Sequence, residues 1–184
     1  VEAWGQGEEA LSKMPMAEQP IDLISTLLPY QLQGLAWMLE KENPTLPAAG
    51  STDVVQLWKR HASRANAFQN IATQFVTTEA PTLARGGILA DDMGLGKTLQ
   101  VISTILEGGP GSTLIIAPVS VMSNWAQQIE RHVKKERNMK VLTYHGSGRK
   151  KMTFKDFSEY DVVITTYGTL STEYLPRDAK NPEK

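Results

Sequence analysis

Between positions 91 and 98 the chain reads Asp-Asp-Met-Gly-Leu-Gly-Lys-Thr, and these residue types at this spacing can hold an anion. Glycines at 94 and 96 permit backbone conformations in which successive N–H groups turn to one side and form a concave nest for oxygens. Lys97 adds a positive charge, and the Thr98 hydroxyl can join the ligand shell of a divalent cation. A helix starting near Lys97 would point its positive dipole end at the same place. Gly96-Lys97-Thr98 matches the G-K-[ST] end of the Walker A phosphate loop, with Asp91 where the pattern has its first glycine. The implied ligand is the β/γ-phosphate end of a nucleoside triphosphate with Mg²⁺, cradled by the N–H groups of Met93, Gly94, Leu95 and Gly96. A dinucleotide fold fits less well. Counted from Gly94, its G-x-G-x-x-G pattern needs Gly at 99, where Leu99 stands.

Such a loop works only between a strand and a helix. GGILA (86–90) before it reads as a short buried strand, and TLQVISTIL after it reads as a helix stopped at Gly108-Gly109-Pro110. TLIIA (113–117), KVLTY (140–144) and DVVIT (161–165) read as further strands; the first is apolar throughout, as parallel strands covered on both faces are. A helix is expected from about Ser120 to Lys135, with Val121, Trp125, Ile129 and Val133 along one side. Residues 149–159 read as a short basic helix or loop. Strands alternating with helices predict an α/β fold, a parallel sheet flanked by helices with right-handed crossovers.

Upstream, PYQLQGLAWMLEKE (29–42) places Leu32, Leu35, Ala36 and Leu39 at helical spacing. Pro29 suits the first helical turn and Asn43-Pro44 ends the helix. Residues 44–53 form a Pro/Ala/Gly/Ser loop. Residues 54–80 fit strand and helix equally well, with Trp58, Phe68 and Phe75 as core anchors. The first 20 residues lack a period and are expected to be loose or to pack as an arm; the tail from 176 to 184 is expected to fray.

The 184 residues suffice for one domain with a core. No apolar run approaches the roughly 20 residues of a membrane span, and the acidic start VEAWGQGEEALSK lacks a signal peptide's apolar stretch. The absence of cysteine excludes disulfides and thiolate metal sites. His61, His132 and His145 lack metal-ligand spacing and read as surface or hydrogen-bonded residues. Val1 in place of Met leads us to expect a piece of a longer protein. A net charge of −1 conceals an asymmetry: residues 1–53 carry eight acids and two bases, whereas residues 131–155 carry nine Lys or Arg and one Glu. The basic stretch, with Arg149, Lys150 and Lys151 adjacent, suits either a polyanion surface or a solvated face.

Four segments, in order, resemble motifs of the Swi/Snf-type branch of superfamily-two helicase-like ATPases, most closely the helicase-like transcription factor subgroup. Leu27 to Met38, LLPYQLQGLAWM, resembles the adenine-side Q motif; GGILADDMGLGKTLQ (86–100) carries a highly specific phosphate-loop core. Ala117-Pro118-Val119-Ser120 leading to Asn124-Trp125 is similar to motif Ia, and Asp161 to Gly168, DVVITTYG, to motif Ib. The resemblance implies the N-terminal part of a first RecA-like motor lobe over residues 27–175, after a leader over 1–26 and with a subgroup-type insert at 44–85. It implies ATP and Mg²⁺ as cofactors, the double-stranded DNA backbone and chromatin as partners, and a nuclear setting without a membrane. It also implies a second RecA-like lobe downstream in the parent that closes on the ATP, so that duplex DNA is moved without strand separation.

Carried over by residue, Gln31 would bond the adenine edge, Met93 to Gly96 would offer N–H groups, and Lys97 and Thr98 would serve catalysis as phosphate charge and Mg²⁺ ligand. Ser120 and Asn124, with Thr165, Thr166 and Tyr167, would face DNA phosphates, as a sequence-tolerant translocase requires. Leu28 stands where many relatives have Arg, Val119 where many have Lys, and Asp92 where many have Glu. The Asp-Glu-x-His motif is absent. Ile88-Leu89-Ala90-Asp91-Asp92 looks like a substitute but abuts the phosphate loop directly, so it cannot be the neighbouring strand. The chain alone is therefore expected to bind ATP without hydrolysing it. The alternatives are a nucleotide-independent DNA- or protein-interaction module with a degenerate loop, and an unrelated P-loop kinase or GTPase, against which the flanking motifs argue.

Overall fold

The computed structural model describes residues 13–64, 66–146 and 152–173. The chain forms two compact units, residues 16–35 with 91–184 and residues 1–15 with 36–90. The first division falls inside helix α1 (Pro29–Glu42), whose ends match the proline start and the Asn43-Pro44 stop. Among the described residues no helix is long and apolar enough to cross a membrane.

The larger unit is built on a parallel sheet of β4 (Thr113–Ile116), β5 (Val141–Thr143) and β6 (Val162–Thr165), in the order β4–β6–β5. Thr113 pairs with Val162 and Ile116 with Thr165 on one side of β6, and Val141 pairs with Val162 on the other. The last strand in sequence thus lies in the centre, and all four of its residues are buried. Helix α2 (Lys97–Glu107) packs against α3 (Val119–His132), which covers β5 and β6. The core joins Ile102 of α2, Met122 and Ile129 of α3, and Ile115, Val162 and Ile164 of the sheet. The buried stripe of α3 runs through Met122 and Ile129 to Val133, whereas Val121, expected on it, is exposed. Met122 and Ile129 are seven residues apart, two turns on one side of the helix, and Val121 lies about 100° off that line.

Residues 17–24, among the described residues before α1, are tied to the larger unit by backbone hydrogen bonds. Ala17 N–H donates to Leu32 C=O (3.0 Å), Ile24 N–H to His132 C=O (2.7 Å) and Lys134 N–H to Asp22 C=O (2.9 Å). Leu23 and Val133, bridged in antiparallel fashion, are both buried. Two further short α-helices lie in this unit among the described residues. In α4 (Phe154–Phe157) Thr153 and Asp156 form a reciprocal capping box, and α5 (Tyr167–Glu173) follows β6 directly.

In the other unit, β1 (Trp58–Arg60), β2 (Phe68–Asn70) and β3 (Val76–Thr77) form an antiparallel sheet in sequence order. This resolves the ambiguity over 54–80 in favour of strands. Phe68 is buried under the Arg60 guanidinium, 4.2 Å from its ring centre, while Phe75, expected in the core, is largely exposed beside the two-residue edge strand.

The expected strand at 86–90 does not form. Among the described residues it pairs with no strand, and Ile88 is 87% exposed. An apolar run becomes a strand only where a neighbour supplies hydrogen bonds, and here the parallel sheet stops at β4.

Candidate nucleotide and nucleic-acid sites

The phosphate loop lies within the larger unit and leads straight into α2. Gly94 and Gly96 both adopt left-handed conformations, with φ of 90° and 78°. Gly96 is the N-cap of α2; no side chain caps the helix and no acid occupies its first turn. The end of α2 therefore keeps its unpaired N–H groups and positive dipole for an anion. Met93 is 96% exposed at the loop's crest. The Lys97 ammonium folds under the loop and donates to the carbonyls of Asp91 (2.6 Å) and Asp92 (2.8 Å). The glycine conformations, uncapped helix and adjacent lysine fit a polyphosphate. Among the described residues no three His, Cys, Asp or Glu converge on a metal position.

Gln31 and Tyr30 of α1 hold the loop from the other side. Gln31 is buried; its Oε1 accepts from Leu28 N–H (2.9 Å), and its Nε2 donates to the Leu95 carbonyl (3.2 Å) and the Tyr30 hydroxyl (3.4 Å). The Tyr30 hydroxyl donates to the same carbonyl (3.3 Å). A Cβ on Gly96 would collide with Gln31 Nε2, so glycine at 96 answers both the backbone angle and the neighbour. The Gln31 amide, expected at an adenine edge, here braces the phosphate loop.

A second brace was not visible as a motif. Gln100 of α2 is fully buried and its Nε2 donates to the Asp91 carboxylate (3.3 Å). Its Oε1 has no hydrogen-bond partner among the described residues and abuts Gly34 of α1 where a Cβ would otherwise be. Asp91, which replaces the first Walker glycine, thus ties the loop to α2 through Gln100. Only the i to i+9 spacing of Asp91 and Gln100 across a loop–helix junction hinted at this.

The carboxyl ends of the three parallel strands meet at an open cleft of about 680 Å³, lined by Ala117, Pro118, Val119, His145, Gly146 and residues 166–169 and 172. Clefts outside strand carboxyl ends are where open α/β sheets bind ligands. The start of the Ia-like segment and the Ib-like turn are thereby brought together. Tyr167 is 71% exposed, whereas Thr165 and Thr166 are buried. The Thr165 hydroxyl donates to the Tyr144 carbonyl (2.8 Å) and the Thr166 hydroxyl to Thr169 Oγ1 (3.1 Å). Ser120 and Asn124 are exposed one turn apart on α3 and do not line the cleft. Arg149, Lys150 and Lys151 lie outside the described residues. His145, Gly146, Thr169 and Thr172 join the cleft without having been singled out; their signal was position directly after strands five and six.

A parallel α/β sheet with a glycine-bent Lys-Thr loop at the head of a helix defines the RecA-like class of P-loop folds, here as part of one lobe. Within that class the chain belongs to the SNF2-related domain family, whose model matches residues 30–181. It is 33% identical over 198 residues to the DNA repair protein RAD5B of Arabidopsis thaliana, covering 85% of this chain and 15% of that one. It is 32% identical over 161 residues to the ATP-dependent helicase ULS1 of Saccharomyces cerevisiae, covering 84% and 8%. A putative SWI/SNF-related matrix-associated actin-dependent regulator of chromatin, subfamily A member 3-like 1, from Arabidopsis thaliana is 30% identical over 217 residues, covering 89% and 23%. The chain spans less than a quarter of the length of each of these relatives.

Proposed function

We propose that the chain is the ATP-binding part of a DNA-dependent ATPase of the Swi/Snf type that works in the nucleus in chromatin remodelling or DNA repair. The carrying observation is the loop at 93–98: two left-handed glycines, an uncapped helix end and a lysine, braced from behind by Gln31 and Gln100. In this reading the N–H groups of Met93, Gly94, Leu95 and Gly96 bind the phosphates. Lys97 leaves the Asp91 and Asp92 carbonyls to neutralise phosphate charge, and Thr98 contributes its hydroxyl to Mg²⁺. The bound metal would supply further charge neutralisation at the phosphate oxygens. Gln31 senses the nucleotide through the Leu95 carbonyl and reaches an adenine edge only by releasing that bond. Ser120, Asn124 and Tyr167, with Thr165 and Thr166 shaping the turn beneath Tyr167, and the basic trio Arg149, Lys150 and Lys151 track the DNA backbone. Hydrolysis requires a positioned water and transition-state charge stabilisation. We assign those to a second RecA-like lobe and to an acidic strand outside residues 1–184, so the chain alone binds without turnover.

A fluorescent ATP analogue with Mg²⁺ tests this. Lys97→Ala should weaken binding about ten-fold or more, the range of a charge-assisted hydrogen bond; equal affinity in both proteins would remove the reading. One observation favours a second reading, a nucleotide-independent interaction module: the Lys97 ammonium is already satisfied by two loop carbonyls. Retained DNA binding with no nucleotide binding at any Mg²⁺ concentration would favour it.

A further inference from the structure

Among the described residues that line the cleft at the strand ends, one carries a basic side chain, His145. His145 is exposed, and its Nδ1 lies 3.1 Å from Thr169 Oγ1 and 3.5 Å from Thr166 Oγ1. The protons in this cluster can be followed in order. Thr169 N–H donates to Thr166 Oγ1 (3.1 Å), so the Thr166 hydroxyl directs its own proton to Thr169 Oγ1 (3.1 Å). The Thr169 hydroxyl is then free to donate to His145 Nδ1, the arrangement that goes with one of the two ring tautomers. A neutral imidazole that accepts at Nδ1 carries its proton on Nε2. Nε2 has no hydrogen-bond partner among the described residues. With Nδ1 turned to two buried threonines and the ring lining the cleft, Nε2–H is directed outward.

We propose that His145 is a phosphate-binding residue of this cleft, donating Nε2–H to a phosphodiester oxygen of bound duplex DNA, with Thr166 and Thr169 as positioning residues that fix its tautomer. A ring N–H donor held between Pro118 and the glycines at 146 and 168 suits a backbone oxygen. Reading a base edge takes paired donors and acceptors, and among the described residues no amide or guanidinium side chain lines the cleft. A neutral donor also differs from the basic stretch in kind: it adds affinity and orientation without displacing a counterion. The proposal rests on the DNA-binding reading above and adds to it a residue and a chemical mode.

Two measurements on the chain as it stands test it. In long-range ¹H–¹⁵N spectra at mildly alkaline pH, His145 should be in the Nε2–H tautomer, and Thr169→Val should shift the ring toward the other one. An Nδ1–H ring in the unaltered protein would overturn the proposal. On adding duplex DNA the Nε2 resonance should move, and inorganic phosphate or ATP at equal concentration should leave it in place; an equal response to free phosphate would overturn the assignment to DNA. His145→Ala should weaken duplex binding about 10-fold or more, the range of a hydrogen bond to a charged group, with the slope of affinity against salt unchanged. A slope lowered by about one would mean a charged contact and would count against the neutral donor. Unaltered chain that binds no duplex would overturn the DNA reading and this proposal together. Unaltered chain that binds duplex while His145→Ala binds as well would overturn this proposal alone.

Discussion

At the scale of single residues, the phosphate loop depends on contacts outside its own motif. Gly34 has no catalytic chemistry, yet a Cβ there would meet the buried Gln100 amide that holds Asp91. We expect Gly34→Ala to destabilise the protein by about 1–3 kcal/mol, the usual penalty of overpacking, and to loosen nucleotide binding as well. Gln100→Ala removes the obstruction, so the double variant should be less destabilised than the sum of the single ones. Urea unfolding of all four proteins checks this, and strict additivity would mean that the two residues do not communicate. Gln31 is a similar case: the family resemblance implied an adenine contact for it, and its hydrogen bonds make it part of the loop's support.

At the scale of elements, the arm before α1 is tied to the end of α3 through His132. Its Nδ1 accepts from the Ser25 hydroxyl (2.7 Å) and its Nε2 donates to Gln128 Oε1 (3.0 Å). Burial, and then the neighbouring Arg131 charge, hold its pKa below the ordinary histidine value. The folded protein therefore favours the neutral ring more than the unfolded chain does. The stability this contributes is complete above the unfolded value of about 6.5 and is lost as pH falls through the lower folded value. Because the ring is only partly buried, we expect a loss below about 1 kcal/mol as the pH falls from neutral into the mildly acid range. His132→Gln keeps both hydrogen bonds available and should flatten that slope in thermal melts; an unchanged slope would assign it to other groups. The Thr153–Asp156 capping box titrates in the opposite part of the range. The Thr153 backbone and then side-chain hydrogen bonds lower the Asp156 pKa, so the cap persists until the acid range below ordinary carboxylates.

At the scale of the whole molecule, charge is divided along the chain. Acids outnumber bases eight to two in the first 53 positions, and bases outnumber acids nine to one between 131 and 155. If the latter track a DNA backbone, affinity should fall steeply with salt, and replacing Arg149, Lys150 and Lys151 by Ala should lower the logarithmic salt slope by about two to three. Filter binding across a salt series measures this, and an unchanged slope would leave the trio as a solvated face. Together with the His145 substitution, the experiment separates two kinds of contact: charges that release counterions and a neutral donor that orients the strand.

Much of this protein was legible from local sequence. Helix α1 has the ends that Pro29 and Asn43-Pro44 dictate, and glycines at 94 and 96 take the left-handed angles their position demands. Three apolar runs became the parallel strands. These features depend on backbone preferences and on residues a few positions apart, which a linear sequence records directly. The central place of β6, the inward turn of Thr165 and Thr166, the unpaired state of residues 86–90 and the Gln100–Asp91 brace could not be read that way. Each depends on which distant segment lies alongside. Hydrogen-bond partners and burial are assigned by long-range packing, so only the folded chain decides which hydroxyl faces the protein and which imidazole nitrogen faces the cleft.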